Sequence, residues 1–219
     1  MRRFRRFYYD VFSHFYDRFI QLHSRDKGSE LRDFLIKKTG ISQGDRVLDI
    51  CTGTGAVPLV AHEAVIPKGM VVGLDFSSGM LCKAKDKAIG KDLSSLYLVM
   101  GDVSAMPFKA NVFDCVTCSH SMYELKSEAR MTTLKEIQRV LKENGRFFMM
   151  EHCKPQKPFI RFLYYVRLMA MGSPENRRFA EDEVPVIEKV FKDVKKELSP
   201  SGKSKLISGE KSSKNNENI

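Results

Sequence analysis

The chain has 219 residues, 42% of them hydrophobic, which is ample for one globular domain with a sizeable core. No apolar run approaches the roughly 20 residues of a bilayer span, and the basic start MRRFRRFYYD is followed by neither an apolar stretch of about 7–15 residues nor a small-residue cleavage site, so neither a transmembrane helix nor a secretory leader is expected. The net charge of +10 and a pI near 9.4 leave nucleic acid, an anionic membrane or plain solubility as readings, and the odd set of five cysteines in mostly apolar surroundings reads as reduced thiols of a cytoplasmic protein.

In chain order, residues 1–38 look helical, with aromatic and apolar residues among charges. A first strand is predicted at Arg46–Cys51, and a helix from Ala56 to about Val65 with Pro58 in its first turn, where proline is tolerated. Pro67-Lys68-Gly69 reads as a turn before a second strand at Met70–Asp75. Ser77 or Ser78 caps a helix running to about Ile89. Further strands are predicted at Leu96–Gly101 and Phe113–Cys118, then a long helix at about Ser127–Lys142, stopped by Glu143-Asn144-Gly145, and a strand at Arg146–Glu151. A basic, aromatic helix, FIRFLYYVRLMAMG, and a short helix at about Glu183–Phe191 lead to VKKELSPSGKSKLISGEK, two strands around a turn. Alternation of strand and helix predicts an α/β fold: a doubly wound, seven-stranded, mostly parallel sheet ending in an antiparallel C-terminal hairpin, with an N-terminal helical lid. The expectation is one domain over 1–211 (lid 1–40, cofactor-binding core 41–152, acceptor-side segment 153–180) and a polar, disordered tail at 212–219.

The stretch VLDICTGTG places Gly53 and Gly55 between a strand and a helix, where a tight turn alone would also want glycine. A dinucleotide-binding dehydrogenase would show GxGxxG and an acid about 20 residues on. Asp75 has that spacing, but Pro58 stands where the third glycine belongs, and Asp49 beside the loop would repel a pyrophosphate. A cationic ligand without phosphate suits it better. S-adenosylmethionine carries an ammonium, a sulfonium and a ribose, whose two hydroxyls Asp75 can accept. Asp102 follows the third strand, where it can accept from an adenine amino group while Val103 supplies an apolar wall. Three acids thus end three successive strands, on the side of an open α/β sheet where ligands bind.

The motifs VLDICTGTG, VVGLDFSSGMLCKAK, LVMGDVSAMPF, FDCVTCSHSMYE and LKEIQRVLKENGRFFMME, in this order and spacing, resemble class I S-adenosylmethionine-dependent methyltransferases, in particular the UbiE-type quinone-biosynthesis and related lipid methyltransferases. The resemblance covers about Tyr8 to Glu151. It implies that Asp49, Cys51, Gly53 and Gly55 line the methionine part of the cofactor, that Asp75 holds the ribose with Phe76 and Met80 beside the adenosine, and that Asp102 and Val103 hold adenine. It places Ser119 and His120 near the transferred methyl, with Ser119 among the cofactor contacts. Tyr16 and Asp17 match a segment that lies over the cofactor, so Tyr16 is expected both to touch it and, with His120, to border the reacting centre. One departure stands out: the quinone branch carries an Arg-Asn pair after the fourth strand, and here the aligned stretch is Ser121-Met122-Tyr123-Glu124.

Other features carry less. Cys115-x-x-Cys118 is half a metal motif, but the two thiols would face opposite sides of one strand, so core thiols and no metal site are expected. His152 and Cys153 are expected as strand-end residues, with lining of the pocket as the other reading; His14 and His23 as surface or capping residues; His62 as a helix-surface residue. The basic-aromatic segments at 1–20 and 159–179 suit a lid over an apolar acceptor and an anionic membrane surface; nucleic acid is disfavoured. The expected activity is methyl transfer from S-adenosylmethionine, leaving S-adenosylhomocysteine, to a small apolar or lipid-like acceptor, a quinone precursor or a phospholipid amine, in the cytoplasm with association to a membrane in view. The alternatives are an NAD(P)-dependent oxidoreductase or a non-catalytic S-adenosylmethionine or nucleic-acid binding module. Oligomeric state is left open.

Overall fold

In the structure, a computed structural model, the described residues are 30–89, 93–154, 161–162 and 174–212. The lid segment 1–29 with Tyr16, His14 and His23, most of the acceptor-side helix, and tail residues 213–219 lie outside them. Seven strands, β1 (Arg46–Ile50), β2 (Met70–Asp75), β3 (Leu96–Met100), β4 (Phe113–Ser119), β5 (Leu141–His152), β6 (Phe191–Leu198) and β7 (Ser204–Lys211), form one sheet in the order β3-β2-β1-β4-β5-β7-β6; β1–β2, β2–β3 and β4–β5 pair in parallel, and β7 runs antiparallel to both β5 and β6, the expected C-terminal hairpin. The chain divides into two compact units at Pro107.

The unit before Pro107 holds α1 (Glu30–Thr39), β1 (Arg46–Ile50), α2 (Ala56–Val65), β2 (Met70–Asp75), α3 (Ser78–Ala88) and β3 (Leu96–Met100). β1 and β2 are buried almost throughout, which is why RVLDI and MVVGLD are near-continuous apolar runs rather than alternating ones. β3 is the outer strand of this half and exposes Tyr97 and Met100. α3 starts where the sequence signals it: the Ser77 hydroxyl accepts the N–H of Met80 at 3.2 Å. His62 is a correction. It is 2% exposed, not a surface residue, because AVPLVAHEAV is apolar around most of its circumference; the ring is satisfied by the Ser95 hydroxyl at 2.9 Å.

The unit after Pro107 holds β4 (Phe113–Ser119), a 3-10 turn (Met122–Glu124), α4 (Ser127–Val140), β5 (Leu141–His152), α5 (Pro174–Glu181), α6 (Val184–Ile187), β6 (Phe191–Leu198) and β7 (Ser204–Lys211). The predicted stop at Glu143-Asn144-Gly145 is displaced. α4 ends at Val140, because the fully buried Leu141 turns extended and pairs with Phe113 of β4. The turn survives as an irregularity within β5, with Asn144 at φ 63°, and the β4–β5 register shifts across it. The short helix predicted at Glu183–Phe191 shrinks to the single turn of α6, since Phe191 already opens β6. β6 is the sheet's outer strand and carries Lys192, Lys195 and Lys196 with Glu197, charges that discourage pairing with another chain. All five cysteines are free, and Cys115 and Cys118 are buried in β4.

Candidate functional site

In the first unit the glycine loop is hydrogen-bonded to two of the three strand-end acids, Asp49 and Asp75. Asp49, 2% exposed at the end of β1, accepts the Thr52 hydroxyl at 2.6 Å. Thr52 N–H donates to the Leu74 carbonyl at 3.1 Å, which ties the loop to the end of β2. Gly53 N–H donates to Asp75 Oδ2 at 2.8 Å, and Ser77 N–H donates to Asp75 Oδ1 at 2.9 Å. The Asp75 carbonyl in turn accepts the N–H of Gly101 at 2.9 Å, joining the end of β3.

Cys51, Gly53 and Gly55 adopt φ of 52°, 54° and 77°, the left-handed region. The two glycines are required for different reasons. At Gly55 an added Cβ would lie 2.8 Å from the Ala84 Cβ of α3, so glycine lets the helices approach. At Gly53 an added Cβ would meet nothing within 4 Å among the described residues, which leaves room there for a ligand. Lys87 of α3 steadies the loop by donating to the Thr54 hydroxyl at 2.7 Å.

Asp102 accepts both the N–H (2.9 Å) and the hydroxyl (2.6 Å) of Ser104 on Oδ1, which fixes the carboxylate just beyond β3. Val103 and Met80 are buried, and Phe76 is half-buried. The Asp75 carboxylate thus accepts one backbone N–H on each oxygen. The structure therefore brings Asp49, Cys51, Gly53, Gly55, Asp75, Phe76, Met80, Asp102 and Val103 into one unit. It also adds a role the sequence reading missed: Asp75 holds the glycine loop in place.

The second unit carries Ser119 and His120 at the carboxyl end of β4. His120 has φ 54°, and its N–H donates to the Met150 carbonyl at 2.7 Å. Its Nδ1 lies 2.9 Å from the Ser119 hydroxyl and its Nε2 lies 3.3 Å from the Ser204 hydroxyl. The His152 ring stacks on it, centroids 4.0 Å apart and planes 32° from parallel. The following turn is clamped: Met122 N–H donates to Glu151 Oε1 at 2.9 Å, while the buried Arg130 guanidinium donates to the carbonyls of Met122 (3.3 Å) and Leu125 (2.7 Å) and stacks over Phe179.

Glu151 itself was missed in the sequence, where an acid closing a strand reads as solvated. It is 2% exposed, and its Oε2 has no hydrogen-bond partner. Burial, reinforced by the charge of Glu183, pushes its carboxyl up to about 8 against the opposing pull of the Met122 and Tyr123 N–H groups. Glu183 is fully buried and makes no well-directed hydrogen bond, yet Lys205 Nζ lies 2.5 Å away and Lys196 Nζ 3.6 Å. Ion pairing, not directional bonding, compensates it, and Lys205 also donates to the Ala180 carbonyl at 2.7 Å. Burial raises the Cys153 thiol, with Lys205 opposing.

Comparison with known proteins agrees with this architecture. Residues 4–197 match the profile of the ubiE/COQ5 methyltransferase family. The chain is 37% identical over 161 residues to a demethylmenaquinone methyltransferase of Symbiobacterium thermophilum (72% of this chain, 62% of that protein) and 34% identical over 155 residues to one of Geobacillus sp. (71% and 65%). It thus spans somewhat under two thirds of these relatives' length. Among solved structures, a SAM-dependent methyltransferase from Aquifex aeolicus superimposes with a TM-score of 0.67 at 19% identity (88% of this chain, 97% of that one). The [4+2]-cyclase SpnF does so with 0.64 at 18% (84% and 80%). Likeness at that level speaks for the fold alone, since a cyclase shares it. The profile match covers most of the sequence, and the chain belongs to the ubiE/COQ5 methyltransferase family.

Proposed function

We propose that the protein transfers a methyl group from S-adenosylmethionine to an apolar, ring-bearing acceptor of the quinone-precursor class. The observation that carries the cofactor half is the gathering of Asp49, Asp75 and Asp102 in one unit with the glycine loop. These residues fit that cofactor: Asp49 suits its cationic end, the Asp75 carboxylate suits the ribose hydroxyls as an acceptor, Asp102 and Val103 suit adenine, and the space at Gly53 accepts a close approach. Cys51, Gly55, Phe76 and Met80 complete the contacts proposed in this unit; Ser119 and Tyr16 are proposed contacts that rest on the family resemblance. Family membership and the demethylmenaquinone methyltransferases among the relatives support the acceptor class.

When bound, the cofactor supplies an electrophilic methyl, so the chain mainly has to align, desolvate and manage a proton. Methylation of a ring carbon would form a carbon–carbon bond there as the sulfur–methyl bond breaks and its electron pair stays on sulfur, leaving S-adenosylhomocysteine, and the carbon would give up the proton it held. His120 is the proposed group to take it, and Tyr16, outside the described residues, is proposed to border the same centre.

S-adenosylmethionine or S-adenosylhomocysteine is expected to raise the thermal midpoint, by an amount equivalent to about 2.7 kcal/mol at a hundredfold excess over Kd, while NAD and NADP do not. Asp75→Asn keeps one acceptor oxygen for the loop and removes the charge, so it should weaken that response by roughly 1.5–3 kcal/mol. Stabilisation by NAD and not by S-adenosylmethionine sinks the reading.

Among the described residues no helix is long and apolar enough to cross a membrane. For a lipid-borne acceptor the proposed location is the cytoplasm, against an anionic membrane surface met by the Arg-Phe-Tyr segments at 1–20 and 159–179. Each basic residue near such a surface contributes about 1 kcal/mol, screened by salt. Co-sedimentation with anionic vesicles should decline as salt rises, and equal binding to neutral vesicles removes the electrostatic argument.

A further inference from the structure

The stacked imidazoles of His120 and His152 bring together residues 32 apart in sequence, and the methyl-transfer chemistry above uses only one of them. His152 is held from its own side. It lies in β5 directly opposite Ser204 of β7, whose N–H donates to the Ser199 hydroxyl at 3.1 Å. The Ser204 hydroxyl lies 3.3 Å from His120 Nε2, so the strand that pairs with His152 also touches the ring stacked on it. Both rings are half-buried.

We propose that His152 is a positioning residue for His120: it fixes the plane of the imidazole against the Ser119 and Ser204 hydroxyls and holds the pair to one positive charge near neutral pH. The physical reason is simple. Two imidazolium rings 4.0 Å apart repel, and a like charge that close disfavours the second protonation. The pair then titrates in two macroscopic steps that belong to neither ring alone. Between those steps His120 remains neutral in a fraction of molecules that would otherwise carry it charged, and a neutral ring is what proton acceptance requires.

The charged and titratable groups around the pair do not reproduce this. Glu151 of β5 and Cys153 just beyond it flank His152: burial raises the Cys153 thiol further from the histidine range, and Glu151, pushed up to about 8, carries its charge only above the range in which the pair is protonated. Lys205 of β7 and Lys196 of β6 are engaged with Glu183 at the start of α6. Glu124 of the 3-10 turn accepts the Tyr123 hydroxyl.

The role assigned to His120 rests on the proposed methyl transfer, but the pairing is measurable without it. The test is an NMR titration of the histidine ring protons in the full chain, for wild type, His152→Phe and His152→Gln. Phenylalanine keeps a stacked ring and removes the charge; glutamine is the second choice if phenylalanine disturbs folding. In wild type the His120 signal should move in two steps separated by about one pH unit or more. In either variant it should move in one. A single step with the same midpoint in wild type and variants overturns the proposal, and the wild-type curve decides even if neither variant folds. With turnover established, the variants should lose activity several-fold relative to wild type near pH 6 and match it near pH 8. Two-step titration without turnover on any quinone precursor would uphold the pair and refute the methyl-transfer reading.

Discussion

Replacing Glu151 with glutamine is expected to stabilise the protein strongly above pH 8 and hardly at all near pH 4. Glu151 titrates near 8 when folded, against 4.5 as its ordinary value. Between those two values the folded chain holds one proton more than the unfolded chain, so stability falls as pH rises through this window. The stabilising share is fully present below about 4.5 and lost above about 8. At 1.36 kcal/mol per unit, the accumulated loss is roughly 3–5 kcal/mol. Glutamine keeps an oxygen for the Met122 N–H, keeps the shape, and never ionises. For a chain of this size the gain corresponds to about 10 °C in thermal midpoint. Midpoints of wild type and Glu151→Gln measured from pH 5 to pH 9 check it: the curves should diverge steadily, and parallel curves would show that the buried acid is already compensated.

His120→Ala should lower turnover by about 10²–10⁴-fold once a ring-carbon acceptor is in hand. The base has to be neutral to act, so wild-type kcat should fall on the acid side near the histidine range, and that limb should vanish in the variant. The geometry makes the result specific. Ser119 and Ser204 hold the ring nitrogens, and the N–H to Met150 holds the backbone, so the loss is that of a placed group rather than of a loop. Unchanged rate and unchanged pH profile would return His120 to the wall of the site.

How far the sequence spoke depends on how local each feature is. The glycine loop, the Ser77 cap, Pro58 in the first turn of α2 and the closing hairpin are set by neighbours within a few residues, and all were legible. Three successive strand-end acids were legible as a set because a parallel α/β fold puts successive strand ends on one side. Other features needed tertiary context. His62 is buried because Ser95 comes to meet it, and no helix periodicity reports Ser95. The end of α4 moved because Leu141 found Phe113. The environment of Glu151 depends on Glu183 and on the strand that brings Lys205 opposite it. The His120–His152 stack requires the β4–β5 register, which an irregular turn shifts.

The placement of β7 between β5 and β6 has a bearing on how the chain is made. β7 is the last of the seven strands to leave the ribosome, yet β6 joins the sheet only through it. Until Lys211 has emerged, β5 offers an unpaired edge bearing Phe147, Phe148, Met149 and Met150, and such an edge invites association with other chains. Completion of the second half of the sheet therefore has to wait for β7, even though β4 and β5 are synthesised long before. A nascent chain stalled between Leu198 and Ser204 would carry both histidines but lack the strand that supplies the Ser204 hydroxyl to His120. The reactive end of the sheet is thus completed at the same moment as its most aggregation-prone edge is covered.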